Sequence, residues 1–111
     1  MWLLDVNLPN GLVSLLGQFG IKSETTVVRG WRNLGNGDLA EVASKAGFAV
    51  ILTRDRLFGE SAGKALKKFS QLSVVILRLP QSRQNVYLKE FESSWKRTAI
   101  KPVPGSVIEW P

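Results

Sequence analysis

Two rhythms of apolar residues alternate along this chain. Met1 to Leu4 is a short apolar run that stops at Asp5, and Asn7, Pro9 and Asn10 then supply turn and helix-start residues. Leu12, Val13, Leu15, Leu16 and Phe19 recur at helical spacing until Gly20, so the first unit is strand, turn, helix. Thr25 to Val28 is short and β-branched and predicts a second strand, with Gly30 to Gly37 as a glycine-containing connection. Leu39, Val42, Ala43 and Ala46 mark one face of a helix that stops at Gly47, and Phe48 to Leu52 predicts the third strand. Phe58 to Phe69 reads as a helix with Ala62, Ala65, Leu66 and Phe69 inward and Lys64, Lys67 and Lys68 turned to water. Leu72 to Leu79 is the most apolar run and predicts a central or near-central strand. Val86, Tyr87, Phe91 and Trp95 give Gln81 to Arg97 an amphipathic helical pattern, and Ser106 to Trp110 follows two prolines as an edge strand.

Strands that alternate with helices imply parallel neighbours joined by right-handed crossovers, hence an α/β fold, a three-layer α/β/α sandwich with a mainly parallel sheet. No internal repeat, low-complexity segment or linker interrupts the pattern, and 111 residues, 44% of them apolar, suit one domain over 1–111.

The third strand ends in Val50-Ile51-Leu52-Thr53-Arg54-Asp55-Arg56-Leu57-Phe58-Gly59, an apolar run that breaks off into charge. Open α/β sheets place their chemistry where strands emerge at their C-terminal ends. Asp5 follows the first strand and Asp55 the third, while Asp38 with Glu41 opens the second long helix, so all four are expected on one rim. If Asp5 and Asp55 act together, the first and third strands must be neighbours, as in the order 2-1-3-4-5.

Composition narrows the chemistry. The chain has no Cys and no His, which removes disulfides, thiolate catalysis and the commonest general base. Catalysis would run on carboxylates, hydroxyls, Lys, Arg or a bound hard cation. Acids packed on one rim repel unless a cation neutralises them, and oxygen-coordinated Mg²⁺ or Mn²⁺ is the natural choice, with Asp5, Asp38 and Asp55 as ligands. Each acid also has a structural role open to it: Asp38 and Glu41 have capping-box spacing, and Asp55 can cap the following helix. With 15 Lys and Arg against 9 Asp and Glu, the net charge of +6 favours polyanions, nucleic acid first. Arg29, Arg32, Arg54 and Arg56 are the candidate phosphate contacts, and Asn7 can hold a water or a phosphate oxygen. Trp31 is expected to cover a core edge rather than stack on a base, Trp2 and Trp95 fit core positions, and Trp110 is expected on an exposed terminus, facing a partner or a second subunit. No membrane-spanning run or signal-peptide pattern is visible, so a cytoplasmic location is expected.

Leu3-Leu4-Asp5-Val6-Asn7-Leu8-Pro9, Asp38 and Glu41 on a helix with Ala43, and Leu52-Thr53-Arg54-Asp55-Arg56-Leu57-Phe58-Gly59 together resemble the small PIN-like proteins of unknown function. These are compact relatives of the PIN-domain ribonucleases that serve as toxins in bacterial toxin–antitoxin pairs. The resemblance runs from the first strand through Leu79. It implies a Mg²⁺- or Mn²⁺-dependent endoribonuclease with Asp5, Asp38, Glu41 and Asp55 as catalytic carboxylates, RNA as substrate and a cognate antitoxin protein as partner. Val6 and Leu57 depart from the pattern, since such proteins often carry acids at those places. The second reading is therefore a non-catalytic interaction protein on the same fold. A receiver-like phosphoacceptor is the third, weakened because Lys101 follows a helix and only one acid follows the first strand.

Overall fold

The computed structural model describes residues 1–111 as five strands and five helices: β1 Trp2–Leu4, α1 Gly11–Gln18, β2 Ser23–Thr25, α2 Thr26–Arg29, α3 Asn36–Lys45, β3 Val50–Thr53, α4 Phe58–Lys68, β4 Ser73–Leu77, α5 Gln84–Arg97 and β5 Val107–Trp110. The sheet is parallel throughout in the order β2-β1-β3-β4-β5. β1 and β3 are thus neighbours, with Leu4 opposite Leu52. The chain moves outward to β2 from β1 and in the other direction from β3, so the topological switch point lies between the two strands that end at Asp5 and Asp55.

The period-two pattern of the strands decides the layers. Leu4, Val50, Leu52, Val75 and Leu77 face α1 and α5 with Leu12, Leu16, Tyr87 and Phe91. Leu3, Ile51, Val74 and Ile76 face the opposite way onto α3 and α4, with Leu39, Ala43, Phe58 and Leu66. Both faces of β3 and β4 are covered, which is why these strands read as continuous apolar runs and not as alternation. No helix is long and apolar enough to cross a membrane.

Two expectations change. The second strand lies earlier than Thr25 to Val28, at Ser23–Thr25, and Thr26–Arg29 forms one helical turn. Thr25 Oγ1 accepts a hydrogen bond from the Val28 amide at 3.2 Å, and Gly30, at φ 75°, closes the turn in the left-handed region. Capping and a glycine stop here outweigh β propensity, leaving Val28 75% exposed. Trp110 is also not an exposed terminus: β5 pairs with β4 and carries the indole into the core, 5% exposed, packed 4.9 Å from Phe91 between ring centroids. Trp31 covers the core edge, its ring 5.9 Å from Phe48 in an edge-on arrangement.

Candidate active site

Asp5 and Asp55 emerge side by side from the C-terminal ends of β1 and β3. Thr53, the last residue of β3 and wholly buried, ties them together. Its hydroxyl donates to Asp5 Oδ2 at 2.7 Å and accepts from the Asp55 amide at 3.1 Å. The second oxygen of Asp5, Oδ1, accepts from the Val6 amide at 2.8 Å. Asp55 is held from both sides, Oδ1 by the Leu57 amide at 2.9 Å and Oδ2 by Asn36 Nδ2 at 2.9 Å. Each carboxylate oxygen therefore has one neutral donor and keeps acceptor capacity for a further partner.

Those donors orient the acids without cancelling their charge. The ion pairs of the molecule involve other acids, namely Glu24, Glu41 and Glu109. The acid pair opens into a polar cleft of about 590 Å³ whose walls include Asn7, Asn36, Gln81, Arg32 and Arg54. Two carboxylates and two guanidinium-bearing side chains thus line one cleft. That arrangement suits a ligand carrying both signs of charge, such as a cation together with a phosphate.

The other expected site residues go elsewhere. Asp38 is exposed at the third helical position of α3 and does not line the cleft. Glu41 points toward α4, its carboxylate 3.9 Å from Lys45 Nζ and 4.0 Å from Lys68 Nζ. Nor do they form a capping box. The helix begins two residues ahead of Asp38, with Gly35 as N-cap and no side-chain cap bond. No group of three or more carboxylates converges anywhere in the molecule, so the triad Asp5, Asp38 and Asp55 is not assembled.

The four arginines separate in the same way. Arg32 and Arg54 line the cleft. Arg29 is held by Glu24 through bonds of 2.6 and 3.1 Å, and its guanidinium lies 4.9 Å from the centre of the Phe48 ring. This pairing lowers the pKa of Glu24 below the usual carboxylate range, chiefly through the hydrogen bond from Arg29. Arg56 opens onto a separate depression beside Arg54, Arg78 and Pro80. Asn7 lines the cleft as expected. Thr53, Asn36 and Gln81 were not anticipated. Thr53 carried a signal, since a hydroxyl two residues before an acid at a strand end can accept from that acid's amide. Asn36 and Gln81 come from connections, and their positions depend on tertiary packing.

Replacing the Thr53 hydroxyl by a methyl group tests how the pair is held. Thr53→Val keeps the shape but leaves the Asp55 amide and Asp5 Oδ2 each short of a partner. It should destabilise the protein by about 1–3 kcal/mol in urea denaturation. A loss within about 0.5 kcal/mol, the scale of neutral surface changes, would show that water replaces the bridge freely.

No known protein family, curated protein or solved structure matches this chain. The class defined by the fold is a three-layer α/β/α sandwich on an all-parallel, five-stranded sheet.

Proposed function

We propose that this chain is a metal-assisted endoribonuclease of PIN-like type, the toxin of a bacterial toxin–antitoxin pair. One observation carries the reading: Asp5 and Asp55, locked by Thr53 at the switch point of the sheet, share a polar cleft with Arg32 and Arg54. The donor set fits a hard divalent cation. Mg²⁺ commonly takes one or two carboxylates and completes its shell with water, and Asp5 and Asp55, with the amide oxygens of Asn7 and Asn36 nearby, offer that much. Such an ion supplies an activated water and stabilises charge developing on a phosphoryl oxygen.

The chain's own groups do the positioning. Arg32 and Arg54 present planar donors suited to phosphate oxygens. Thr53 and Asn36 hold the two carboxylates in fixed orientations, so little reorganisation accompanies binding. The cleft lies open at the sheet edge, where a flexible single strand can bring its backbone to the acids, and duplex RNA is expected to be cut more slowly.

Calorimetric titration of Mn²⁺ and Mg²⁺ tests the cation site. Saturable binding that Asp5→Asn and Asp55→Asn both remove is expected; heat of dilution alone from the wild type at millimolar metal would end the metal-dependent reading. The runner-up, a non-catalytic protein that binds RNA or an antitoxin on the same surface, is favoured by the two-acid site and by Leu57, which is apolar and 61% exposed beside it. The receiver-like reading has less support, because Lys101 lies in the connection between α5 and β5 and not at a strand end.

A further inference from the structure

The depression onto which Arg56 opens, about 330 Å³, shares Arg54 and Gln81 with the acid cleft and has no Asp or Glu in its wall. Arg78 and Pro80, just beyond the end of β4, line it as well. It therefore sits at the C-terminal ends of β3 and β4, one strand along the same rim from the acid pair at the ends of β1 and β3. In the chain itself, Asp55 stands between Arg54 and Arg56, so one strand end supplies an acid to the cleft and a guanidinium-bearing residue to the neighbouring hollow.

The three arginines of the hollow differ in what holds them. Arg78 is tied to the end of β5: its Nε donates to the Pro111 carbonyl at 2.9 Å, its Nη2 donates to the same oxygen, and its Nη1 lies 3.6 Å from Glu109 Oε2. Its position is fixed and its charge partly offset. Arg56 is exposed, and neither it nor Arg54 enters an ion pair, since the acids that do are Glu24, Glu41 and Glu109. Cations gathered in a hollow without a counter-charge attract a polyanion, and the planar fork of arginine matches phosphate oxygens.

We infer that this hollow is a second phosphate subsite: a single-stranded polynucleotide with one phosphate presented to Asp5 and Asp55 lays a neighbouring phosphate against Arg56, with Arg54 shared between the two places and Arg78 in the outer wall. It rests on the reading of the substrate as RNA and adds the direction in which the strand leaves the acids. Phosphate contacts position a strand without reading its sequence, so the subsite is indifferent to the base.

The test is binding of a short fluorescein-labelled oligouridylate, followed by anisotropy in EDTA over a range of salt concentrations, to the wild type, Arg56→Gln and Lys67→Gln. Lys67 is the control because it is exposed and its loss removes the same charge about 14 Å along α4 from the helix start at the rim. Arg56→Gln should weaken binding several-fold and lower the slope of log affinity against log salt by about 0.7, the value of one phosphate contact on a single strand. Its melting temperature should match the wild type, while Lys67→Gln should keep both affinity and slope. Wild-type affinity and slope in Arg56→Gln, equal losses in the two variants, or no binding by the wild type at low salt would overturn the subsite. Poly-glutamate bound as tightly as the RNA, and as sensitive to Arg56→Gln, would overturn its assignment to nucleic acid. A loss specific to Arg56→Gln, in a protein that cleaves RNA under no metal, would leave the subsite standing and remove the nuclease; Mn²⁺-dependent cleavage by Arg56→Gln at the wild-type KM would do the reverse.

Discussion

Asp5→Asn and Asp55→Asn are each expected to lower Mn²⁺-dependent cleavage of single-stranded RNA by at least about 100-fold, since losing a supporting group around a metal already costs roughly 10- to 100-fold. Each substitution exchanges a carboxylate oxygen for an amide nitrogen, so the side chain keeps its shape while the negative charge and one acceptor are lost. The hydrogen bonds affected differ. In Asp5→Asn the amide can rotate to keep its oxygen toward either the Thr53 hydroxyl or the Val6 amide, and in Asp55→Asn toward either Asn36 or the Leu57 amide. Some stability is lost in both, but circular dichroism and urea denaturation should still report a folded protein. Asp38→Asn is the informative control. Its side chain is outside the cleft, so its cleavage rate should remain within a few-fold of wild type. A 100-fold loss in Asp38→Asn would mean that α3 moves to deliver that acid when substrate binds, and would restore the three-acid site.

The second large effect concerns stability. Trp110→Ala should cost about 3–5 kcal/mol in urea denaturation, the range for removing a buried aromatic ring. The indole packs against Phe91 and, at 6.2 Å between centroids, Trp95, while its Nε1 donates to the Thr98 carbonyl at 2.9 Å. Truncation would remove that packing, leave the Thr98 carbonyl without its indole donor, and weaken the attachment of β5, an edge strand with only β4 as neighbour. Against a total stability of roughly 5–15 kcal/mol for a domain, such a loss is large enough to leave a substantial unfolded fraction at elevated temperature. A cost below about 1 kcal/mol would show that β5 contributes little to the core.

Both predictions turn on residues whose surroundings were unequally visible in the chain itself. The strand ends at Asp5 and Asp55 were legible because an apolar run followed by charge marks where a buried strand leaves the sheet. From there, the C-terminal rim followed from parallel connectivity, and β1 beside β3 from supposing that the two acids act together. Helix phase was harder to read. A shift of three residues in the start of α3, with Gly35 and not Asp38 as N-cap, carries Asp38 out of its supposed cap position and leaves Glu41 beside Lys68 of α4. Four basic side chains near the rim in sequence likewise divide once built, because Arg29 finds Glu24 across a single turn while Arg32 and Arg54 find no acid partner.

By itself the sequence determined the fold class and the rim on which the two aspartates stand; the strand order followed only if they act together, and the structure supplied it. Fold class and rim depend on local periodicity and chain direction, which are written residue by residue. Only the tertiary structure decided that the acid pair is bridged by Thr53 and restrained by Asn36, and that Trp110 belongs to the core. Those outcomes depend on distances between elements far apart in the chain, set by how α1 and α5 pack on one face of the sheet and α3 and α4 on the other.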